Sequence, residues 1–335
     1  LEQRKNDHIA ICQTQNVQSQ TTNGLDRYHL EPRATSELSY TDLNLNTEAY
    51  LGRSFPYPLL ITGMTGGVDR GALINRRLGA LAARHGIPMG VGSQRIALED
   101  PKYEGLFQVK KTSPGVFLIA NLGAAQICLS TEPRDLCLRA VEMIGADALG
   151  IHLNLLQELV QKEGDRGFPD LLPKLAQVVK DFPVPILVKE VGSGLGEKDA
   201  QVLSQIGIGT LDVGGSGGTS WPYIEGLRDK SRSRLGETFQ NWGFSTAESL
   251  RRIRGSHPHL TLSATGGLRS GLDLAKVLAL GATLGGVGLP FFRQALISEE
   301  ALEEEFQFFV EGLQIAMAGT GSQKLSDLKK SLITL

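Results

Sequence analysis

Apolar and β-branched runs recur along the chain at 58–63, 88–92, 115–121, 148–153, 185–190, 210–214, 260–264 and 284–289, and each reads as a buried strand. Between them, apolar residues return at helical spacing over 70–85, 102–111, 131–144, 168–182, 197–206, 246–254, 271–280 and 299–318. Some helices carry their own boundaries, with Thr131 ahead of Pro133 and with Gly145 and Gly281 just past helix ends. Parallel strands need a right-handed crossover between them, so eight alternating strand–helix units predict an α/β chain folded as a (β/α)8 TIM barrel over 58–320. A doubly wound open sheet is the alternative, but no G-x-G-x-x-G follows the first strand. Residues 1–57 are polar and irregular, with one extended-looking stretch at Glu37-Leu38-Ser39-Tyr40, and read as an N-terminal extension; 321–335 read as a C-terminal tail.

A barrel gathers the C-terminal ends of its strands on one face, where loops carry the chemistry. The fourth strand empties into His152-Leu153-Asn154-Leu155-Leu156-Gln157-Glu158, a cluster in which a carboxylate stands beside a neutral amide. Such a pair suits a hard cation on one group and hydrogen bonding or proton relay on the other. Read alone, the stretch is equally a helix-starting loop with a solvated Glu158 and a His152 satisfied by a backbone carbonyl. The pooled mouth also holds Gly63-Met64-Thr65, Ser93-Gln94-Arg95, Asn121, Lys189-Glu190, Gly214 to Thr219, Gly266-Gly267-Leu268-Arg269 and Gly288-Leu289. The last two groups follow strands seven and eight, where such barrels hold a phosphate on loop amides and a helix N-terminus. Lys189 ends an Ile186-Leu187-Val188 strand; it either faces a ligand, pairs with Glu190 or Glu158, or forms a Schiff base as in an aldolase. The loop 219–244 is long and charged and reads as a mobile lid, and its Trp221 either stacks on a flat ligand or packs. His257 and His259 precede strand seven and belong to the opposite face.

Composition narrows the partners. The chain has 335 residues with 41% hydrophobic content, enough for a full core. Its 40 glycines exceed the roughly 7% of average usage without a repeat, which points to tight turns and close backbone approach to a ligand. A net charge of −2 with dispersed Lys and Arg gives no footprint for nucleic acid or a membrane surface, and leaves a small anionic ligand open. Cys12, Cys128 and Cys137 lack metal-ligand spacing and read as reduced, buried thiols of a soluble cytoplasmic protein; no apolar signal core opens the chain.

Arg4-Lys5 with His8, GMTGG at 63–67, GSQR at 92–95, the H-x-N-x-x-Q-E pattern at 152–158, VKEVGSG at 188–194, GGSGGTSW at 214–221 and ATGGLRSG at 264–271 run collinearly through nearly the whole chain. Together they resemble the type 2 isopentenyl diphosphate isomerases. The resemblance implies a flavin barrel that interconverts isopentenyl and dimethylallyl diphosphate with reduced FMN and Mg²⁺, with NADPH as flavin reductant, assembled as a homo-oligomer of four or more chains. It places FMN on Gly63, Met64, Thr65, Ser93, Asn121, Lys189, Thr219, Gly266, Gly267, Leu268, Arg269, Gly288 and Leu289. The diphosphate substrate falls to Arg4, Lys5, Ser93, Gln94, Arg95, His152, Asn154 and Gln157, and magnesium to Glu158. The resemblance, together with the lack of a strong acid pair in the pooled mouth, implies the flavin as the main acid/base with Gln157 assisting. The family motif usually reads HLNPLQE, and Leu155 in place of its proline suggests a less preorganised loop.

Overall fold

In the computed structural model, which describes residues 1–335, all eight expected strands form and close into one parallel barrel. After a short outer strand β1 (Tyr28–Leu30), the barrel strands are β2 (Leu59–Ile61), β3 (Pro88–Gly90), β4 (Phe117–Gly123), β5 (Ala148–Leu153), β6 (Ile186–Glu190), β7 (Thr210–Asp212), β8 (Thr261–Thr265) and β9 (Leu284–Val287). Each pairs with its successor, and β9 returns to β2 with Leu59 opposite Gly285 and Ile61 opposite Val287. The alternation within strands decides what fills the barrel. Lys189 and Asp212, register partners on β6 and β7, present their side chains to one face, and His152 on β5 stands opposite Lys189.

The end of the barrel opposite the mouth is stoppered by 47–55. Its turn folds back through Tyr50 N–H to Arg53 O at 2.8 Å, with Leu51 at a φ of 51°. Tyr50, Leu51 and Phe55 are thereby buried against Phe117, Ile119 and Leu284, with Phe55 edge-on to Phe117 at 5.2 Å between centroids. Tyr50 reaches up the axis to Ser263 on β8, hydroxyl to hydroxyl at 2.8 Å. The extension is thus a stopper at one end of the barrel as well as part of its mouth.

Five expectations are corrected by the structure. The chain's beginning is a helix, Glu2–Thr14, whose Ile9 and Cys12 are buried although its other residues are mostly polar. The stretch near Tyr40 is one turn of 3-10 helix rather than strand, and 321–335 is no loose tail: Leu328 is buried and β10 (Leu332–Thr334) pairs antiparallel with β1. Over 102–111 a continuous α-helix gives way to a 3-10 turn at Pro101–Phe107 and a short helix at Val109–Thr112. The segment read as a mobile lid is two ordered helices, Trp221–Arg228 and Ser233–Thr238. They cross at glycine: a Cβ on Gly226 would stand 3.0 Å from Gly236 Cα, so the backbones pack directly.

Candidate active site

The mouth of the barrel opens into a cavity of about 260 Å³. Its floor is made of interlocked glycine turns after β7, β8 and β9. Gly266 and Gly267 take φ of 115° and 74°, and Gly217 takes 106°, all in the left-handed half of conformational space. Space is as restrictive as torsion, since a Cβ on Gly218 would fall 2.4 Å from Gly267 N and one on Gly266 would fall 2.1 Å from Gly215 O. Arg269 braces both turns by donating to Gly217 O at 2.7 Å and Gly267 O at 2.8 Å, and Asn23 of the extension donates to the same Gly267 carbonyl at 2.8 Å. The next helix, Leu289–Ile297, begins at Gly288 with Pro290 in its first turn, so its free N–H groups face the same floor. These bare amides fit a phosphate group, and the glycine shelf leaves room for a flat ring system above Lys189.

One wall is the strand-end layer. His152 Nδ1 lies 2.8 Å from Asn121 Oδ1, and because Asn121 Nδ2 already donates to Val91 O at 2.8 Å, the imidazole must be the donor. Burial, reinforced by the positive charges of Lys189, Lys5 and Arg4, holds the His152 imidazole down at about 3, so it is neutral and keeps its Nε2 lone pair. Asn121 is held from behind by Gln94, which accepts from Asn121 N–H at 2.8 Å and donates to Ala140 O at 2.8 Å. Gln94 is itself fully buried and does not line the cavity. Its expected substrate contact is therefore corrected: it positions Asn121 from outside the mouth.

The opposite wall is the helix Leu155–Val160. Leu155 occupies its first turn with the side chain half exposed, a position that proline also suits. The helix forms without proline, with Glu158 N–H on Asn154 O at 3.0 Å. Glu158 is buried rather than solvated; it accepts from Asn154 Nδ2 at 3.0 Å and from Asp165 N–H at 3.0 Å. Gln157 donates to Glu225 Oε1 at 2.9 Å across the mouth.

Glu225 is the member that sequence reasoning missed. Its side chain has no exposed surface, and it also receives His8 Nε2 at 3.0 Å and Arg228 Nε at 2.8 Å. Burial works against its charge, but the donors from His8, Gln157 and Arg228 prevail and hold the carboxyl down at about 2. A signal was available, since an acid inside the apolar stretch Trp221-Pro222-Tyr223-Ile224-Glu225-Gly226 calls for a partner. Gln161 and Arg293 also line the cavity without having been expected.

The N-terminal helix forms the rim. Lys5 Nζ donates to Ser93 O at 2.9 Å, and its only charged neighbour of note is Arg4. Burial, with the like charge of Arg4, brings the Lys5 ammonium down to about 7. Every other expected residue lines this one cavity: Arg4, Ser93, Arg95, Asn154 and Glu158 at the substrate side, and Gly63, Met64, Thr65, Thr219, Leu268 and Leu289 on the floor side. Lys189 donates to the backbone carbonyl of Glu190 at 2.8 Å and pairs with neither expected carboxylate. Trp221 both packs and lines the cavity, edge-on to His8 at 5.4 Å. The three cysteines are free and buried, and no cluster of three or more His, Cys, Asp or Glu could hold a metal by itself.

A closed parallel barrel with a phosphate-fitting glycine floor after its last strands defines a flavin-type barrel protein, and the family described as FMN-dependent dehydrogenase matches residues 155–335. The backbone superposes on a mandelate oxidase mutant with a monooxide FMN adduct at a TM-score of 0.64, with 18% identity over 98% of this chain and 92% of that one. A flavocytochrome b2 mutant with benzoylformate gives a TM-score of 0.69 at 15% identity, over 98% and 82%. At that identity they establish the fold. Two relatives are much nearer: the isopentenyl-diphosphate delta-isomerase of Nostoc sp. is 43% identical over 98% of this chain and 94% of its own length. The isopentenyl-diphosphate delta-isomerase of Rickettsia rickettsii (strain Sheila Smith) is 42% identical over 99% and 97%. The chain belongs to the FMN-dependent isopentenyl-diphosphate delta-isomerases.

Proposed function

We propose that this chain interconverts isopentenyl and dimethylallyl diphosphate with reduced FMN and Mg²⁺. The observation that carries the substrate class is the basic rim of the cavity, where the half-buried Lys5 ammonium, brought down to about 7, stands beside Arg4. A diphosphate arriving there would restore its full charge, so substrate binding and proton uptake are linked at this position. Arg95, hydrogen-bonded to Glu99 at 2.8 Å, extends the basic edge along the same wall.

Reduced FMN, when bound, supplies an electron-rich face and exchangeable protons beside the alkene, which meets the need for stabilising positive charge on a hydrocarbon shielded from water. The chain's own residues bind, orient and exclude. Gln157 is held by the buried Glu225 and cannot itself supply a strong acid, so its amide positions the alkene end of the substrate and assists proton movement. Neutral His152, its ring fixed by Asn121, presents an Nε2 lone pair to the cavity that accepts from a donor there rather than from the anionic diphosphate. The Trp221–Arg228 helix and the N-terminal helix close over the mouth through the His8–Glu225 contact, which keeps water from the reacting carbons.

Glu158 fits a magnesium ion of limited protein ligation. Mg²⁺ commonly takes one or two carboxylates and completes its shell with water and substrate phosphate oxygens, and a single buried carboxylate next to the basic rim matches that pattern. Replacing Glu158 by Gln should raise the magnesium concentration needed for half-maximal activity by about tenfold or more while leaving FMN bound. Unchanged magnesium dependence would reject the assignment. The same reading takes NADPH as the flavin reductant, a homo-oligomer as the working assembly and the cytoplasm as the location. No helix is long and apolar enough to cross a membrane.

A further inference from the structure

Beneath the mouth the barrel interior holds a second, smaller cavity that shares Thr62, Gly63, Asn121 and Lys189 with the first. It measures about 20 Å³ and is lined by apolar side chains such as Ile119 and Leu187, together with Thr62, Lys189 and Asp212. Asp212 has no exposed surface. Its Oδ1 is saturated, accepting from Thr265 Oγ1 at 2.8 Å, Thr265 N–H at 3.1 Å and Gly214 N–H at 3.3 Å. Its Oδ2 is equally buried and receives no hydrogen bond from the protein. A carboxylate oxygen in that position costs about 1–3 kcal/mol or more unless a donor meets it.

Lys189 is the donor within reach of the same cavity. It is the register partner of Asp212 on the adjoining strand, so both side chains enter the barrel from one face. Only one of its three ammonium hydrogens is used, on Glu190 O. Burial pushes the Asp212 carboxyl up, and Lys189 is the strongest influence opposing that rise, so the two charges feel each other inside the barrel. The Glu190 carboxylate also feels the ammonium, but its Oε2 is committed to the N–H groups of Val191, Gly192, Ser193 and Gly194 and no ion pair joins it to Lys189. A cavity of this size takes one water, which needs on the order of 10–15 Å³ and two or more polar partners.

We propose that Asp212 is a positioning residue for the flavin site, joined to Lys189 by one buried water and serving as the ammonium's counter-ion beneath the cofactor. The pair sets how much net positive charge the barrel presents to the flavin from below. Lys189 therefore carries less than a full unit charge at the ring, and the equilibrium between oxidised and reduced FMN is tuned from inside the fold. The inference rests on FMN occupying the mouth above Lys189; the water itself does not.

Two measurements test it. A high-resolution crystal structure of the wild-type protein should show one ordered water within hydrogen-bond distance of Asp212 Oδ2 and Lys189 Nζ, with or without FMN. A dry cavity overturns the proposal. In the FMN-loaded protein, Asp212→Asn keeps the acceptor facing Thr265 and removes the negative charge, so the reduction equilibrium should shift toward reduced flavin by about tenfold, or ~30 mV for a two-electron couple. A folded, FMN-loaded variant with the wild-type potential overturns it too. If wild-type protein fails to bind FMN at all, the cofactor assignment fails, and that result is visible in its absorbance before any variant is made.

Discussion

Glu225→Gln keeps the shape of the side chain and removes its charge, which makes it a sharp probe of the mouth. The carboxylate takes His8 and Gln157 on Oε1 and Arg228 on Oε2, at 3.0, 2.9 and 2.8 Å. A glutamine has one acceptor oxygen, so its NH₂ must meet either Arg228 or the His8–Gln157 side donor to donor. The carboxyl stands at about 2 against 4.5 for an unperturbed glutamate, and that difference corresponds to ~3 kcal/mol favouring the charged form in the folded chain. The variant should therefore lose about 3 kcal/mol in urea unfolding near neutral pH. The sign is fixed by the direction of the shift: a depressed carboxyl stabilises fully above 4.5 and less as pH falls toward 2. Between pH 7 and pH 3.5 the gap between wild type and variant should narrow by about 1 kcal/mol. Turnover should drop by about 100-fold, since Gln157 loses the partner that fixes its amide. A gap that stays constant with pH, together with unchanged turnover, would refute the network.

Gln94→Leu should destabilise the barrel by about 1–3 kcal/mol, because it strands the buried Asn121 N–H, while the Michaelis constant of the folded fraction stays near wild type; a raised Michaelis constant at normal stability would restore a direct substrate contact. His152 should make the protein lose stability as pH falls from 6.5 toward 3, since over that range only the unfolded chain takes up its proton. His152→Gln should flatten the dependence of urea midpoint on pH between about 6.5 and 5, and an unaltered slope would contradict the neutral imidazole. Gly267→Ala places a Cβ 2.3 Å from Gly217 O at a φ of 74°, so purified protein should retain little FMN absorbance; full retention would show that the floor is not the phosphate site.

The barrel was legible because its signal is periodic and local. Runs such as Ile186-Leu187-Val188 and Leu284-Gly285-Gly286-Val287 are buried on both faces, and helices of strong amphipathicity such as Asp69–His85 separate them. What escaped the sequence is non-local. The N-terminal helix offers Ile9 and Cys12, with half-buried Ile11 beside them, to the core among mostly polar residues, so its stability comes from where it docks rather than from its own pattern. Glu225 meets Gln157 from 68 positions away and His8 from 217, and no spacing rule links them. Gln94 stands in the GSQR motif beside two mouth residues, yet the turn into the helix Arg95–Glu99 sends its side chain inward to Ala140. Motif membership identified the neighbourhood, and the backbone decided which side chains enter it.

The isomerase reaction is assayed by incubating the purified protein anaerobically in D₂O with FMN, a flavin reductant, Mg²⁺ and isopentenyl diphosphate and following the alkene protons by NMR. Dimethylallyl diphosphate carrying deuterium is expected, formed only while the flavin is reduced. Bound flavin with unchanged alkene signals would contradict it, leaving a flavin barrel with some other reaction.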